Sequence, residues 1–385
     1  MQKLQGNFCI LFNILIVFFL AGSLTAQQPN TPSPPEDAII CPYPPASSIL
    51  PCDCLADPRT FEIYLTCYWD MGENEEENLI KFQQVFDEFD SYDKIYVLEM
   101  TCDQCWNFGF DGVLNENTTG RFEITYFTLE HFESTQNIST QQFTSTAFKS
   151  SRDSLQYLYF DPYNFITPDQ NILTGLKNLT QLKLHGLNAQ SSNLPSFSSL
   201  ENLRFLSLSD GSLQTINSDT FKGLEYLTSL FIDNSQVNSI ESGTFLNLTS
   251  LTHLSITFNC VEIIKKGTFG NLPSLSILNI GDNKIKEIQG NLDEISANTK
   301  VLLHNNYIRQ LNESTWRGLT EKILYTPLAQ GVIDLENNPL DCGCDVKWII
   351  VELQAAEVFS NARCYNGQDL VEVDPGVLEF FCPDK

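Results

Sequence analysis

The sequence predicts an α/β solenoid: short stacked units forming a horseshoe, with a parallel sheet on the concave face and a disulfide-bonded cap at each end. Three observations predict it. The middle of the chain repeats every 24 residues, the cysteines cluster toward the two ends, and an apolar leader opens an acidic chain. Each element follows from the residues in order.

Lys3 precedes an apolar run from Ile10 to Leu20 and then the small-residue stretch AGSLTA. That order of charge, apolar core and small residues is the pattern of a secretory signal peptide, taken here as residues 1–26. A membrane anchor is the competing reading, but the run is shorter than the roughly 20 residues a bilayer requires. The last residues, VEVDPGVLEFFCPDK, carry neither a spanning run nor a lipid-anchor tail. A secreted, extracellular chain without a membrane anchor is therefore expected. The 12 cysteines, of which Cys9 leaves with the leader, fit an oxidising compartment. Five N-x-S/T sequons, at Asn117, Asn137, Asn178, Asn247 and Asn312, mark glycosylation sites of such a chain. The net charge of -26 disfavours nucleic acid and anionic membranes as partners.

Residues 27–40 are Pro-rich and read as a linker. Residues 41–94 hold Cys41, Cys52, Cys54 and Cys67 and then a helical pattern, with Leu79, Phe82, Phe86 and Phe89 on one face. Asn74 is placed to cap it, with Glu77 three residues on. The run Glu75–Glu77 reads as a first-turn dipole complement, not as an acid/base pair.

Residues 95–340 carry the repeats. LQYLYF (155–160), LTQLKL (179–184), LRFLSL (203–208), LTSLFI (227–232), LTHLSI (251–256) and LSILNI (275–280) each begin 24 residues after the last. Two more units fit around TKVLLH and VIDLEN, and KIYVLEM and RFEITYF mark degenerate units before 155. Leu176, Leu200, Leu224, Leu248 and Leu272 share one further position, and Phe197, Phe221, Phe245 and Phe269 another. No single unit can bury all of these, so stacked units must share one core. Position nine holds Asn259, Asn283, Asn306 and Asn338, whereas earlier units have Tyr163, Leu187, Gly211 and Ser235 there. Between strands there is no long helical pattern, so short helical turns and loops are expected. Residues 341–385, with Cys342, Cys344, Cys364 and Cys382, form the second cap.

This LxxLxLxxN pattern resembles the extracellular leucine-rich-repeat family. The cysteine spacing at both ends resembles that family's caps, and the resemblance implies the pairs Cys41–Cys54, Cys52–Cys67, Cys342–Cys364 and Cys344–Cys382. Trp348, on the helix expected over DVKWIIVEL, would cover the last repeat. The first cap together with LIKFQQVFDEF also resembles the non-catalytic subunits of crustacean luciferin monooxygenases and related secreted arthropod proteins. That narrower resemblance implies an accessory chain beside a separate catalytic one, hence no enzyme and no cofactor. Asp90 departs from it, standing where proline is expected.

Other chemistry is poorly supported by the residues. Cys102 and Cys105 have thioredoxin-like spacing, but WNFGFDGVLNENTTG after them is not helical, so a local structural bridge Cys102–Cys105 is expected. Cys260 is then odd: a buried free thiol or a link to another chain. Zinc at the second cap would want cysteine or histidine pairs at metal spacing in a reducing setting, whereas no histidine follows His304 and the chain is expected to be secreted. His185, His253 and His304 lie on strands two or three repeats apart, about 10–14 Å at strand spacing, too far to share one metal.

The variable strand positions point to the concave face and are the candidate binding residues: Tyr157, Tyr159, Asp161, Lys183, His185, Phe205, Phe231, Asp233, His253, Ile277 and Leu302, followed by Asp334 and Glu336. Aromatics among charges on one face suit an interface. The expected partner is another protein, such as a catalytic subunit in a hetero-oligomer, or an extracellular glycan or protein ligand. A soluble recognition or adhesion receptor is the alternative.

Overall fold

The computed structural model describes residues 32–41, 52–70, 84, 94–103, 119–133, 147–163, 171–186 and 194–382. The expected leader, the helix over 79–89 apart from Gln84, the Cys102 and Cys105 side chains, and the sequons at Asn117 and Asn137 lie outside the described residues. The chain divides into two compact units, one ending at Ser212 and one beginning at Leu213.

In the first unit β1 (Ile39–Ile40), β2 (Cys52–Ala56) and β3 (Ile63–Asp70) pair antiparallel. β3 then starts a parallel run through β4 (Lys94–Asp103), β5 (Glu123–Glu133), β6 (Tyr157–Tyr163), β7 (Gln181–His185) and β8 (Phe205–Ser209). Side chains alternate across a strand, so one register row is buried throughout: Leu98, Phe127, Leu158, Leu182 and Leu206. The hairpin β2–β3 covers the edge of this sheet. Cys52 sits opposite Cys67 in register and is bonded to it, and Cys41 is bonded to Cys54. Unpaired strand edges invite association, and a bonded hairpin closes this one.

In the second unit the parallel strands are β10 (Ser229–Phe231), β12 (His253–Ser255), β14 (Ile277–Asn279), β16 (Lys300–Leu302), β17 (Val332–Asp334) and β18 (Phe359–Ser360). Short parallel ladders pair β9 (Thr215–Ile216) with β11 (Ser239–Ile240), and β13 (Ile263–Ile264) with β15 (Glu287–Ile288). Leu278 pairs with Val301, so this one step is 23 residues, not 24.

The asparagines at position nine do the work that ends each strand. Asn259 accepts from the Ser235 and Val237 amides at 3.0 Å each and donates to the carbonyls of Ile232 and Thr257. Asn283, Asn306 and Asn338 repeat the arrangement one unit on each time. The backbone just before this ladder turns left-handed, with positive φ at Asn234, Phe258, Asp282, Asn305 and Asn337. Asn and Asp tolerate that conformation through local hydrogen bonding, so four of these five residues suit the turn. Phe221, Phe245 and Phe269 stack in sequence, with ring centroids 5.9 and 6.0 Å apart.

Three expectations are corrected here. The segment between β16 and β17 holds a 13-residue helix, α1 (Glu313–Tyr325), rather than a short turn. The extra length between Asn306 and Asn338 makes room for it, and Trp316, Leu319 and Ile323 bury its inner face. DVKWIIVEL is not an α-helix but a 3-10 turn, Cys344–Val346, followed by a π turn, Trp348–Leu353. Its β-branched run Ile349–Ile350–Val351 is stiff at χ1 and favours α geometry poorly. Cys260 is half-buried and disulfide-bonded, not a free thiol, and its partner lies outside the described side chains.

The second cap is bonded Cys342–Cys364 and Cys344–Cys382. It closes with α2 (Pro375–Phe381), where Asp374 accepts the Gly376 amide and proline takes the first helical position.

Candidate binding faces

On the first unit the strand face opposite the core carries one row Tyr126, Tyr157, Gln181, Phe205 and a second row Glu99, Thr128, Tyr159, Lys183, Ser207. Contrary to the expectation of exposed aromatics, Tyr157 is only 5% exposed, Tyr159 9% and Lys183 6%. Large side chains at adjacent strand positions cover one another. The Lys183 ammonium lies 5.4 Å from the Tyr159 ring centroid and 5.7 Å from that of Phe205, a cation between two faces. Burial lowers its pKa, and Glu130 opposes that shift. The Tyr159 hydroxyl donates to Asp161 Oδ2 at 3.1 Å, and burial with the Asp161 charge pushes the phenol well up. His185 packs edge-on to Tyr159 at 5.2 Å, with Nδ1 3.8 Å from Asp161 Oδ1.

Tyr157 also ends a run of ring contacts that the sequence reading missed: Tyr64 to Tyr96 at 5.6 Å, Tyr96 to Tyr126 at 5.2 Å, Tyr126 to Tyr157 at 6.1 Å. Desolvation raises Tyr96 and Tyr157 each to about 12. The signal was a tyrosine in each degenerate unit, hidden because those units break the 24-residue spacing.

On the second unit the face is more open. The first row is Ser229, His253, Ile277, Lys300 and Val332, and the second is Phe231, Ser255, Asn279, Leu302 and Asp334. His253 and Lys300 are exposed, while Phe231, Ile277, Leu302 and Val332 are half-buried. Asp233 is tied to the next repeat: its Oδ1 accepts from Ser255 Oγ, the Thr257 amide and Thr257 Oγ1, all within 2.9 Å.

A charge bridge spans three adjacent strand ends. His304 Nε2 lies 3.3 Å from Asp282 Oδ2, and Nδ1 3.8 Å from Asp334 Oδ2. Asn305 donates to the other Asp282 oxygen, and Asn361 to the other oxygen of Asp334. Gly281 makes the room, since a Cβ there would come within 2.3 Å of His304 Nε2. The Asp282 hydrogen bond, outweighing burial, raises the His304 pKa above its usual 6.5. Burial lowers that of His185, with Asp161 and Asp210 opposing.

The two histidines therefore carry opposite pH signatures. A raised folded pKa gives stability fully present below about pH 6.5 and lost as pH rises through the folded value. A lowered one gives stability present above the unfolded pKa and lost as pH falls through the folded value. Acidification from about pH 7.5 to about pH 6 should tighten the His304 bridge, whereas His185 should take up its proton only at lower pH than His304. NMR titration of the two ring signals checks this. Gly281→Ala should return the His304 titration to the ordinary range, and a His304 titration unmoved by it would contradict the bridge.

The family model described as a leucine rich repeat matches residues 225–285. The chain is 35% identical over 78 residues to the Oplophorus-luciferin 2-monooxygenase non-catalytic subunit of Oplophorus gracilirostris. That match covers 20% of this chain and 20% of the relative, so only about a fifth of the relative's length is spanned. Among solved structures, the crystal structure of a TLR13–ssRNA13 complex is similar at TM-score 0.53 and 20% identity, over 72% of this chain and 36% of that one. The structure of the Toll–Spatzle complex from Drosophila is similar at TM-score 0.49 and 17% identity, over 78% and 46%. At 20% identity the first of these likenesses concerns the fold alone.

Proposed function

We propose that this chain, a leucine-rich-repeat protein with a cysteine-rich cap at each end, is a secreted, non-catalytic scaffold that binds another protein on the strand face of its second unit. The observation that carries this reading is the composition of that face. Half-buried Phe231, Ile277, Leu302 and Val332 alternate with exposed His253 and Lys300 on a rigid parallel frame. A mixed apolar and aromatic strip with a polar rim is what protein interfaces are made of. The 35% identity to a non-catalytic subunit supports an accessory role beside a separate catalytic chain. Four bonded cysteine pairs among the described residues, all toward the termini, support an oxidising, extracellular setting. Asn247 and Asn312 are exposed and off the strands, so glycans there would leave the face clear.

The test is co-purification of the secreted chain from its native fluid, with bound proteins identified by mass spectrometry. The double variant His253→Glu/Lys300→Glu changes only exposed positions and should fold normally. Loss of the bound partner by about tenfold or more, about 1.4 kcal/mol, is the expected result. A partner retained at full occupancy on this variant would sink the proposal. A weakly associated microbial or matrix ligand in place of a stable hetero-oligomer would favour the receptor alternative. Turnover that survives removal of every co-purified chain would overturn the non-catalytic reading.

A further inference from the structure

A second candidate site lies where the last strands meet the second cap, within the second unit. The turns that follow the last ladder residues and the second cap form an open groove of about 780 Å³. That volume falls in the range of roughly 300–1,000 Å³ typical of small-molecule sites. Two tyrosine rings stand at it, Tyr307 and Tyr365, 50% and 79% exposed. Between them the walls carry Glu336, Asn361, Arg363 and Asp369. Arg363 Nε donates to Asp369 Oδ1 at 2.7 Å, and Asn361 Nδ2 to Asp334 Oδ1 at 3.1 Å.

The walls are held in place before any ligand arrives. Asn306 and Asn338 in the lining are ladder residues with their amides engaged. Cys364 in the wall is bonded to Cys342, and the Tyr365 amide donates to the Leu340 carbonyl. Preorganisation of this kind lowers the cost of binding.

From this groove we infer a binding site for a neutral oligosaccharide. Sugar hydroxyls both donate and accept, and the planar amide, carboxylate and guanidinium groups here offer both roles at fixed angles. The pyranose ring presents a C–H-rich face, for which an exposed tyrosine ring is a matched apolar platform. An anionic ligand fits worse: Glu336 and Asp369 contribute two negative charges, and the one guanidinium in the lining is already paired to Asp369. A peptide side chain would want a deep apolar pocket, whereas the exposed apolar surface here is two flat tyrosine rings and Val371 among polar groups.

The experiment uses the whole secreted chain, titrated calorimetrically with chitohexaose, laminarihexaose and a high-mannose N-glycan, the last both free and on a carrier glycoprotein. Expected is saturable binding of at least one neutral probe, with Kd of about 10 μM to 1 mM. Tyr365→Ala should weaken it about tenfold or more, and Tyr365→Trp should retain it. The His253→Glu/Lys300→Glu variant should bind sugar as the parent does, which separates this site from the protein-binding face. Binding of the glycan only on its carrier would place the natural ligand on a glycoprotein; binding of free hexaoses would point to a polysaccharide. No binding of any neutral probe at millimolar concentration, unchanged binding by Tyr365→Ala, or preference for a heparin hexasaccharide would each overturn the inference.

Discussion

Asn283→Ala is expected to destabilise the second unit by about 3–5 kcal/mol, because several buried backbone groups lose their partner together. Asn283 Oδ1 accepts the Val261 amide at 3.1 Å, and its Nδ2 donates to the Ile256 carbonyl at 2.7 Å and the Gly281 carbonyl at 2.9 Å. Alanine restores none of these and leaves the volume of the carboxamide unfilled in a buried turn. Asn283→Asp keeps the acceptor but loses the donors and buries a charge, so it should be worse at about pH 7 than at about pH 4. Ser274→Ala is the control. It removes one exposed inter-repeat bond, Ser274 Oγ to the Thr249 carbonyl at 3.0 Å, and should cost under about 1 kcal/mol. Chaotrope midpoints for the three variants check the ordering. An Asn283→Ala midpoint equal to that of Ser274→Ala would contradict the ladder as the main strand-ending device.

Trp348→Ala is the second large effect, at about 3–5 kcal/mol for a buried aromatic replaced by a methyl. Trp348 is buried, donates from Nε1 to the Leu311 carbonyl at 2.8 Å, and lies edge-on to Phe359 with centroids 6.4 Å apart. The Arg317 guanidinium sits 5.8 Å from its ring. Removing the ring uncovers the end of the stack, where Leu335 and Leu340 are fully buried. Since an uncapped repeat presents core to solvent, self-association should accompany the loss of stability. Trp348→Phe keeps most of the cover and loses the hydrogen bond, so about 1–2 kcal/mol is expected, with no association. Thermal unfolding and light scattering read the two effects separately.

The legibility of the fold differs between its halves for a physical reason. From 155 onward strand alternation is a local signal, joined from Asn259 on by the ladder asparagine, and the buried leucines and phenylalanines follow from spacing alone. Before 155 the strands reach 10 and 11 residues and the units between them vary in length, so no fixed period exposes Tyr64, Tyr96 or Tyr126. The helix α1 was illegible for a related reason: its apolar residues Trp316, Leu319 and Ile323 sit inside an irregular interval with no counterpart to compare.

The candidate faces were legible as positions and not as surroundings. Alternation says which side chains leave the core, and it placed His185, Phe205 and Ile277 on the far side of their strands. It cannot say that Tyr159 and Phe205 close over Lys183, because that depends on ring sizes two strands apart. Nor can it say that Gly281 leaves the volume His304 fills between Asp282 and Asp334, which come from three different repeats. By itself the sequence determined the repeat, the buried rows and the residues available to each face, since a period of two along a strand and about 24 along the chain are properties of single units. Only the tertiary structure decided which of those residues are covered, charged or open, since stacking sets every side chain against neighbours far away in the chain, and burial and pKa follow from those neighbours.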